Sequence, residues 1–523
     1  MHAVTPPRAH RCTRVDAACV FLLIAYFLYF ALPARHGGFR EDEMMNLWTY
    51  WYVGPVRLLF ALAKFWTSDY RSAGGLYYLP LYHLFGLNPW PYRLVQISIL
   101  ALSVPIAYYL ALLLASSRSV AFLAVLAFCY HPYVASIVFV GAFIYDVLCG
   151  LFYFAALAYY VHIREKGAYL RPLQLVLFLV LYVFALNSKE MAVTLPVIVL
   201  IYELLKSSRW ANWNAFLSWT WRDAAAALIG GAITAFYVHS KISGIGFTRG
   251  SEPYRPIYSW HNFVTSNASF VGELLYAPEA ITPTFLLLLW MAVFIYAFLR
   301  RDRMLRLMAF WIVIIPLPIA FILPIRSGGC LYLLLFGWAM ICARASCDLI
   351  AFVASAFVAQ RQRTSKALLQ NTGDPTVGGA PIALPSNATP RKTPRRTISI
   401  VLVSVLAVSF ALFTEWENRR LATAPNLLRV GEKVSHVIAA FESLNLRPAA
   451  HSTVLLKPNE QLFQNKWHPL FIASLVWNDH SLQIWIDKLS KITPQQLEEA
   501  DYIISLTEFE AKVIRSPNGH NTE

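Results

Sequence analysis

Apolar runs of ~17–25 residues, nearly free of charge, recur along most of this chain and constrain its fold more than any other feature. A run of that length crosses the hydrocarbon core of a bilayer as a helix. Composition agrees: 58% of the residues are hydrophobic and 14% charged. Soluble domains hold roughly 45–50% and 25%. A water-soluble fold could not cover this much apolar surface. The net charge of +15 invites a nucleic-acid reading. However, the basic residues fall in short clusters between apolar runs, not on one face or in a tail, so no nucleic-acid partner is expected. The cysteines Cys12, Cys19, Cys129, Cys149, Cys330, Cys342 and Cys347 form no C-x-x-C pair and read as small core residues.

Spans are expected near 16–34, 93–115, 119–138, 144–162, 171–188, 191–206, 223–241, 282–299, 306–324, 330–356 and 397–414, about eleven in all. Arg8, Arg11 and Arg14 precede the first, which lacks a small-x-small cleavage site and reads as retained. Arg118, the Arg164 to Arg171 connection, Lys206 to Arg222, Arg300 to Arg306 and the Arg391 to Arg396 tract share one side, which the positive-inside rule makes the cytoplasm. The other side receives 35–92, Lys189-Glu190, 242–281, Arg326 and the C-terminal segment. The chain thus reads as an all-α polytopic inner or plasma membrane protein with a cytoplasmic N-terminus. Its membrane domain is 1–415, with 359–396 as a flexible cytoplasmic linker rich in Thr, Pro, Gly and Asn. Residues 416–523 mix charges with short apolar segments and read as a small extracytoplasmic α/β domain. It has an amphipathic helix near 426–444 and strands at 453–456 and 502–504.

The loop 35–92 is rich in aromatic residues, among them Trp48, Tyr50, Trp51, Tyr77, Tyr78, Tyr82, Trp90 and Tyr92, which suit the headgroup level. Apolar spacing in 44–66 predicts helices lying along the membrane surface. The loop also carries Glu41-Asp42-Glu43. Acids favour helix N-termini, so a solvated helix start is one reading. The other is a catalytic carboxylate at the water–membrane boundary that deprotonates a hydroxyl, or adjacent acids such as Asp42 and Glu43 holding a divalent cation. His131, Asp146, Lys189, Glu190 and Arg326 fall at span ends on the same predicted side. Arg57, Lys64, Arg71 and Arg93 add positive charge there, which a site for an anionic phosphate would explain, as would attraction to lipid phosphates.

In order along the chain, several stretches resemble the GT-C superfamily of membrane glycosyltransferases, in particular the branch near bacterial protein O-mannosyltransferases and aminoarabinose transferases. Asp42-Glu43 with Asn46 resembles the acid-acid-x-x-Asn pattern of the first outer loop. Tyr70-Arg71, Phe85-Gly86-Leu87-Asn88-Pro89, Tyr92-Arg93, Ser188-Lys189-Glu190 and Arg326 to Tyr332 are similar to later motifs. Ser72 and Arg93 depart from the branch, which has Pro and His there. The resemblance implies an enzyme that transfers a hexosyl or pentosyl group, with inversion, from a polyprenyl-phosphate donor to a hydroxyl of a glycan, lipid or protein acceptor. It implies Asp42 as general base, Glu43 or Glu41 orienting it, and Arg71, Lys189 and Arg326 on the phosphate. A flippase or a polysaccharide polymerase or ligase is the alternative. A flippase would carry mid-membrane charges and repeat symmetry, which the sequence lacks.

Overall fold

Helices in this chain start and stop where capping residues, glycines and prolines place them. The computed structural model describes residues 13–64, 66, 71–207, 210, 212–243, 256–322, 328–371, 394–487, 489–490 and 493–517. Helix α1 (Arg14–Ala31) begins at Thr13, whose amide donates to the Asp16 carboxylate while its hydroxyl accepts from the Asp16 amide. The first loop then folds into α2 (Glu41–Val53), α3 (Pro55–Ala63) and α4 (Gly75–Phe85). Helix α4 ends at Gly86, whose φ of 56° is the left-handed conformation that glycine accepts without strain. Asn88 accepts from the Trp90 amide and Pro89 takes the first helical position, opening α5 (Pro89–Ala115). The Phe-Gly-Leu-Asn-Pro stretch is thus a helix stop and start. It sets Tyr92 and Arg93 in the first turn of α5.

Helix α6 (Arg118–Cys129) is shorter than the expected span 119–138. Pro132 drives His131 into extended backbone (φ −143°, ψ 124°), and α7 (Ser136–Phe139) follows a single 3-10 turn. Irregular backbone at membrane depth must be covered by protein. Here the Gln96 amide donates to the Ile137 and Val140 carbonyls at 2.7 and 3.0 Å.

The chain continues through α8 (Ile144–Glu165), α9 (Pro172–Ser188), α10 (Leu195–Ser207), α11 (Trp213–Arg222), α12 (Ala225–Ser243), α13 (Trp260–Leu274) and α14 (Pro283–Leu299). Then come α15 (Arg303–Ile314), α16 (Leu317–Ala320), α17 (Tyr332–Asn371) and α18 (Pro394–Arg420). Among the described residues six helical segments are long and apolar enough to cross a bilayer: Arg14–His36, Pro89–Ala115, Gly141–Glu165, Arg303–Ala320, Gly328–Gln360 and Thr397–Arg420. The other expected spans coincide with α6, α9, α10, α12 and α14. The expected linker 359–396 is corrected in its first part. Helix α17 runs on to Asn371, because no Gly or Pro interrupts the chain before Gly373. Residues 372–393 lie outside those described.

Charged groups collect at both ends of the bundle. Asp146 and Arg164 sit on α8, separated by a helical rise of roughly 27 Å, close to the thickness of the hydrocarbon core. At the Arg164 end, the guanidinium pairs with Glu203 at 2.7 Å and with Asp223. At the Asp146 end lie the first loop and the C-terminal domain.

After α18 come α19 (Thr423–Arg429) and α20 (Glu432–Ser443), then β1 (Thr453–Pro458), α21 (His468–Trp477), β2 (Gln483–Ile486), α22 (Pro494–Glu499), β3 (Tyr502–Leu506) and β4 (Ala511–Arg515). The strand order is β2-β1-β3-β4, with β1 parallel to β2 and β3, and β4 antiparallel to β3. Val454 and Leu456 join the large core that includes α20 and α21. Leu455, Ala500 and Ile503 form a second cluster on the other face.

This domain covers the first loop. Trp51 Nε1 donates to Asn478 Oδ1 at 2.7 Å, and its ring stacks on His480. Gly38 and Gly431 meet backbone to backbone, and a Cβ on Gly38 would lie 2.8 Å from the Gly431 carbonyl. Helix α2 is wedged between α4 and α21. Tyr50, Trp51, Tyr77, Tyr78, Tyr82 and Tyr92 are core residues, not headgroup anchors. Their rings fill this layer beside Met44, Leu47, Leu58, Leu79 and Leu81. Helix α3 does present Val56, Leu59 and Phe60 outward.

Candidate active site

The acids Glu41, Asp42 and Glu43 form the first turn of α2, where the helix dipole favours negative charge. They face three ways. Glu43 turns inward, is 1% exposed, and forms a bidentate ion pair with Arg93 at 2.7 and 2.8 Å. Its Oε2 also accepts from the Arg40 amide at 3.0 Å, capping the helix. Arg93 spends its remaining donors on the Gly37 and Gly38 carbonyls at 3.3 and 2.5 Å. A Cβ on Gly141 would overlap both partners, so glycine is required there. Arg93 is fully buried and committed to Glu43, which corrects its expected role on phosphate. Both Glu43 oxygens already accept hydrogen bonds, Oε1 from Arg93 and Oε2 from Arg93 and Arg40. Among the described residues no group of three His, Cys, Asp or Glu could hold a metal ion.

Asp42 is exposed. Glu41 is half-buried, with its carboxylate 3.7 Å from His468 Nδ1 of α21. Asn46 is buried one turn along from Asp42, on the face that Tyr50 continues. The Tyr50 hydroxyl donates to the Arg71 carbonyl at 2.6 Å and lies 3.0 Å from the Tyr145 hydroxyl.

Tyr50 thereby links α2 to a second group of charges. Arg71 precedes α4, Asp146 opens α8, and Lys189-Glu190 follow α9. Arg71 forks onto Glu190 with bonds of 3.0 to 3.2 Å. Lys189 Nζ lies 2.6 Å from the Asp146 carboxylate and 3.5 Å from Cys330 Sγ. The Arg71 guanidinium sits 5.2 Å over the Tyr145 ring. The side chains of Lys189 and Asp146 are 9% and 5% exposed, whereas those of Arg71 and Glu190 are 34% and 48% exposed. The group therefore runs from a buried base to a rim that water reaches. Burial opposes the Glu190 carboxylate, but the Arg71 guanidinium and the Lys189 ammonium outweigh it and push its pKa down to about 2. Burial also opposes the Lys189 ammonium, yet the Asp146 carboxylate more than restores it and its pKa is raised.

Two expected residues stand apart. His131 Nε2 lies 3.2 Å from the Leu274 carbonyl of α13 and its ring packs on Tyr276, away from the cluster. Tyr332 stacks on Phe128 at 4.6 Å and presses on Gly150, one turn along α8 from Asp146, forming floor and not rim. Arg326 and Tyr70 lie outside the described residues. Sequence reading missed Tyr50, Tyr145 and His468 as site neighbours. Tyr50 follows Asn46 at helical spacing and Tyr145 adjoins Asp146, both usable signals; nothing in the sequence ties His468 to Glu41.

No family model and no curated protein matches the chain. Solved structures do. ArnT from Cupriavidus metallidurans bound to undecaprenyl phosphate aligns with a TM-score of 0.50 and 13% identity, covering 94% of this chain and 93% of that one. Its apo form aligns at 0.49 and 14% identity with the same coverage. The archaeal oligosaccharyltransferase AglB from Archaeoglobus fulgidus, in complex with an inhibitory peptide and a dolichol-phosphate, aligns at 0.46 and 10% identity, covering 94% of this chain and 69% of that one. Over nearly its whole length the chain shares the fold of ArnT.

Proposed function

We propose that the chain transfers a sugar from a polyprenyl-phosphate donor to an acceptor hydroxyl at the outer end of the bundle, with Asp42 as general base. The observation that carries this reading is the division between adjacent acids. Glu43 is locked onto Arg93, while Asp42 stands exposed at the head of α2. The likeness in fold to ArnT, solved with undecaprenyl phosphate, supports the lipid donor.

Asp42 takes the proton of the acceptor hydroxyl. The freed oxygen bonds to the anomeric carbon as the bond from that carbon to the phosphate oxygen breaks, and the phosphate leaves with the electron pair. One in-line displacement inverts the centre, for a hexosyl or a pentosyl donor alike. A phosphate is a good leaving group, so no general acid is needed. Arg71 and Lys189 neutralise the charge that develops. Among the described residues no hydrogen bond occupies Arg71 Nη1, which leaves that edge for phosphate. The Glu43–Arg93 pair positions α2, and no step runs through a cation. The basic connections at the Arg164 end support a cytoplasmic position for that end and an outer one for the site.

The test is a transfer assay in membranes with a polyprenyl-phosphate sugar donor. Asp42→Asn should lose roughly 10²–10⁴-fold in rate, the usual worth of a general base. Wild-type rates in Asp42→Asn would overturn the assignment. Reporter fusions after Ala34 and after Thr414 should both read outside, and a cytoplasmic signal from the first removes the proposed orientation.

A further inference from the structure

A crevice at the edge of the C-terminal sheet has no part in the steps above. It opens outside the carboxyl ends of parallel β1 and β2, where the chain leaves at Pro458 and Ile486. Asn459, Glu460, Lys466 and Asp487 supply its polar lining, and Phe463 and Pro469 part of its apolar lining.

The lining selects a class of ligand. Among the described lining residues two carboxylates stand against one ammonium, which disfavours an anion. Carboxylates accept hydrogen bonds, Lys466 donates them, and Asn459 does both. Asn459 Oδ1 already accepts from the Gln461 amide at 3.3 Å, which leaves its NH2 to donate outward. A ligand with alternating hydroxyl donors and acceptors and with apolar C–H faces matches this set. Among the described residues the crevice gathers no trio that would hold a bare metal ion.

Contacts lead from the crevice toward the acids of α2: Phe463 in its lining packs on the His468 ring at 5.5 Å. Pro469 lines the crevice, and the preceding residue, His468, reaches Glu41 beside Asp42. The His468 Nδ1 proton is fixed by the Asn465 carbonyl at 2.8 Å, which holds the ring at this junction. We infer that the crevice binds a saccharide portion of the acceptor, delivering a sugar hydroxyl toward Asp42. This rests on the glycosyl-transfer reading above.

The test uses full-length protein in lipid nanodiscs without donor, with maltotriose and mannotriose as probes in saturation-transfer NMR. At least one trisaccharide should receive saturation on its ring protons from the wild type. Glu460→Ala/Asp487→Ala should weaken that binding roughly tenfold or more, as losing hydrogen bonds to charged acceptors does. Lys466→Ala, at an exposed side chain, should weaken it less and guards against misfolding of the double variant. Asp42→Asn should bind the sugar as wild type does. No saturation of either sugar, or undiminished saturation in both crevice variants, overturns the inference. Displacement of the sugar from the crevice by a serine-containing peptide overturns it in favour of a protein acceptor. Sugar binding that holds while Asp42→Asn still transfers at the wild-type rate would sink the general base and leave the crevice standing.

Discussion

Replacing Arg93 by Met should cost more stability than any single change at the exposed acids. The side chains of Arg93 and Glu43 are 0% and 1% exposed. Met keeps most of the volume but leaves the Glu43 carboxylate buried, with the Arg40 amide still donating to it. Breaking a buried ion pair from one side costs about 3–5 kcal/mol. The Gly37 and Gly38 carbonyls also lose their donor, at about 1–3 kcal/mol for any that stays buried and unpaired. Against a total of roughly 5–15 kcal/mol, Arg93→Met should be near the limit of folding. Glu43→Gln removes the charge but keeps an oxygen for Arg93, so its loss should be smaller. The double variant leaves no buried charge unpaired, and should be more stable than the sum of the singles predicts by about 1–3 kcal/mol. Asp42→Asn, at an exposed position, should stay within about 0.5 kcal/mol of wild type. Thermal unfolding of purified protein, read beside transfer activity, measures all four. Additive losses in the double variant would refute the buried pair as the anchor of α2. A Glu43→Gln protein as stable as wild type but inactive would move the chemistry from Asp42 to Glu43.

Arg71→Lys keeps the charge but loses the fork onto Glu190. It should raise KM for the lipid donor roughly tenfold and change stability by less than about 1 kcal/mol, since the pair is partly solvated; an unchanged donor KM counts against the phosphate role. The Glu190 pKa is depressed from 4.5 to about 2, so its contribution is present above pH 4.5 and lost as pH falls through 2. Unfolding curves of wild type and Glu190→Gln should differ at pH 6 and converge toward pH 2. Burial raises the Glu273 pKa from 4.5 to about 7, so folding favours its neutral form and stability falls as pH rises through 7. Glu273→Gln should therefore raise the melting temperature at pH 8 and leave it unchanged at pH 4.5. Gly38→Ala should pry the C-terminal domain from the first loop and expose the α19–α20 region to protease, because its Cβ would meet Gly431 and Ser435; wild-type resistance would mean that the contact yields without cost.

Local pattern carried much of this molecule. The spans were legible because a segment in lipid must satisfy its own backbone, which forces long apolar helices. The corner before α5 is local chemistry too, since glycine, asparagine and proline at Gly86, Asn88 and Pro89 act on their own turn. The exceptions are instructive. His131-Pro132 broke an expected span, since a proline outweighs apolar composition locally. The segment after Gln360 stayed helical because nothing in it forbids a helix.

The acids of α2 show where the sequence stops. By itself it determined that Glu41-Asp42-Glu43 open a helix beside the membrane, since charge order and spacing are local. Which of them is free was decided by tertiary structure alone. Arg93 lies fifty residues on in sequence, and Gly141 and His468 farther still. A helix start fans successive side chains about 100° apart, so the three acids must meet different surroundings. Only the packing of α5, the turn at Gly141 and the C-terminal domain determines which carboxylate is neutralised, which is shared and which faces water.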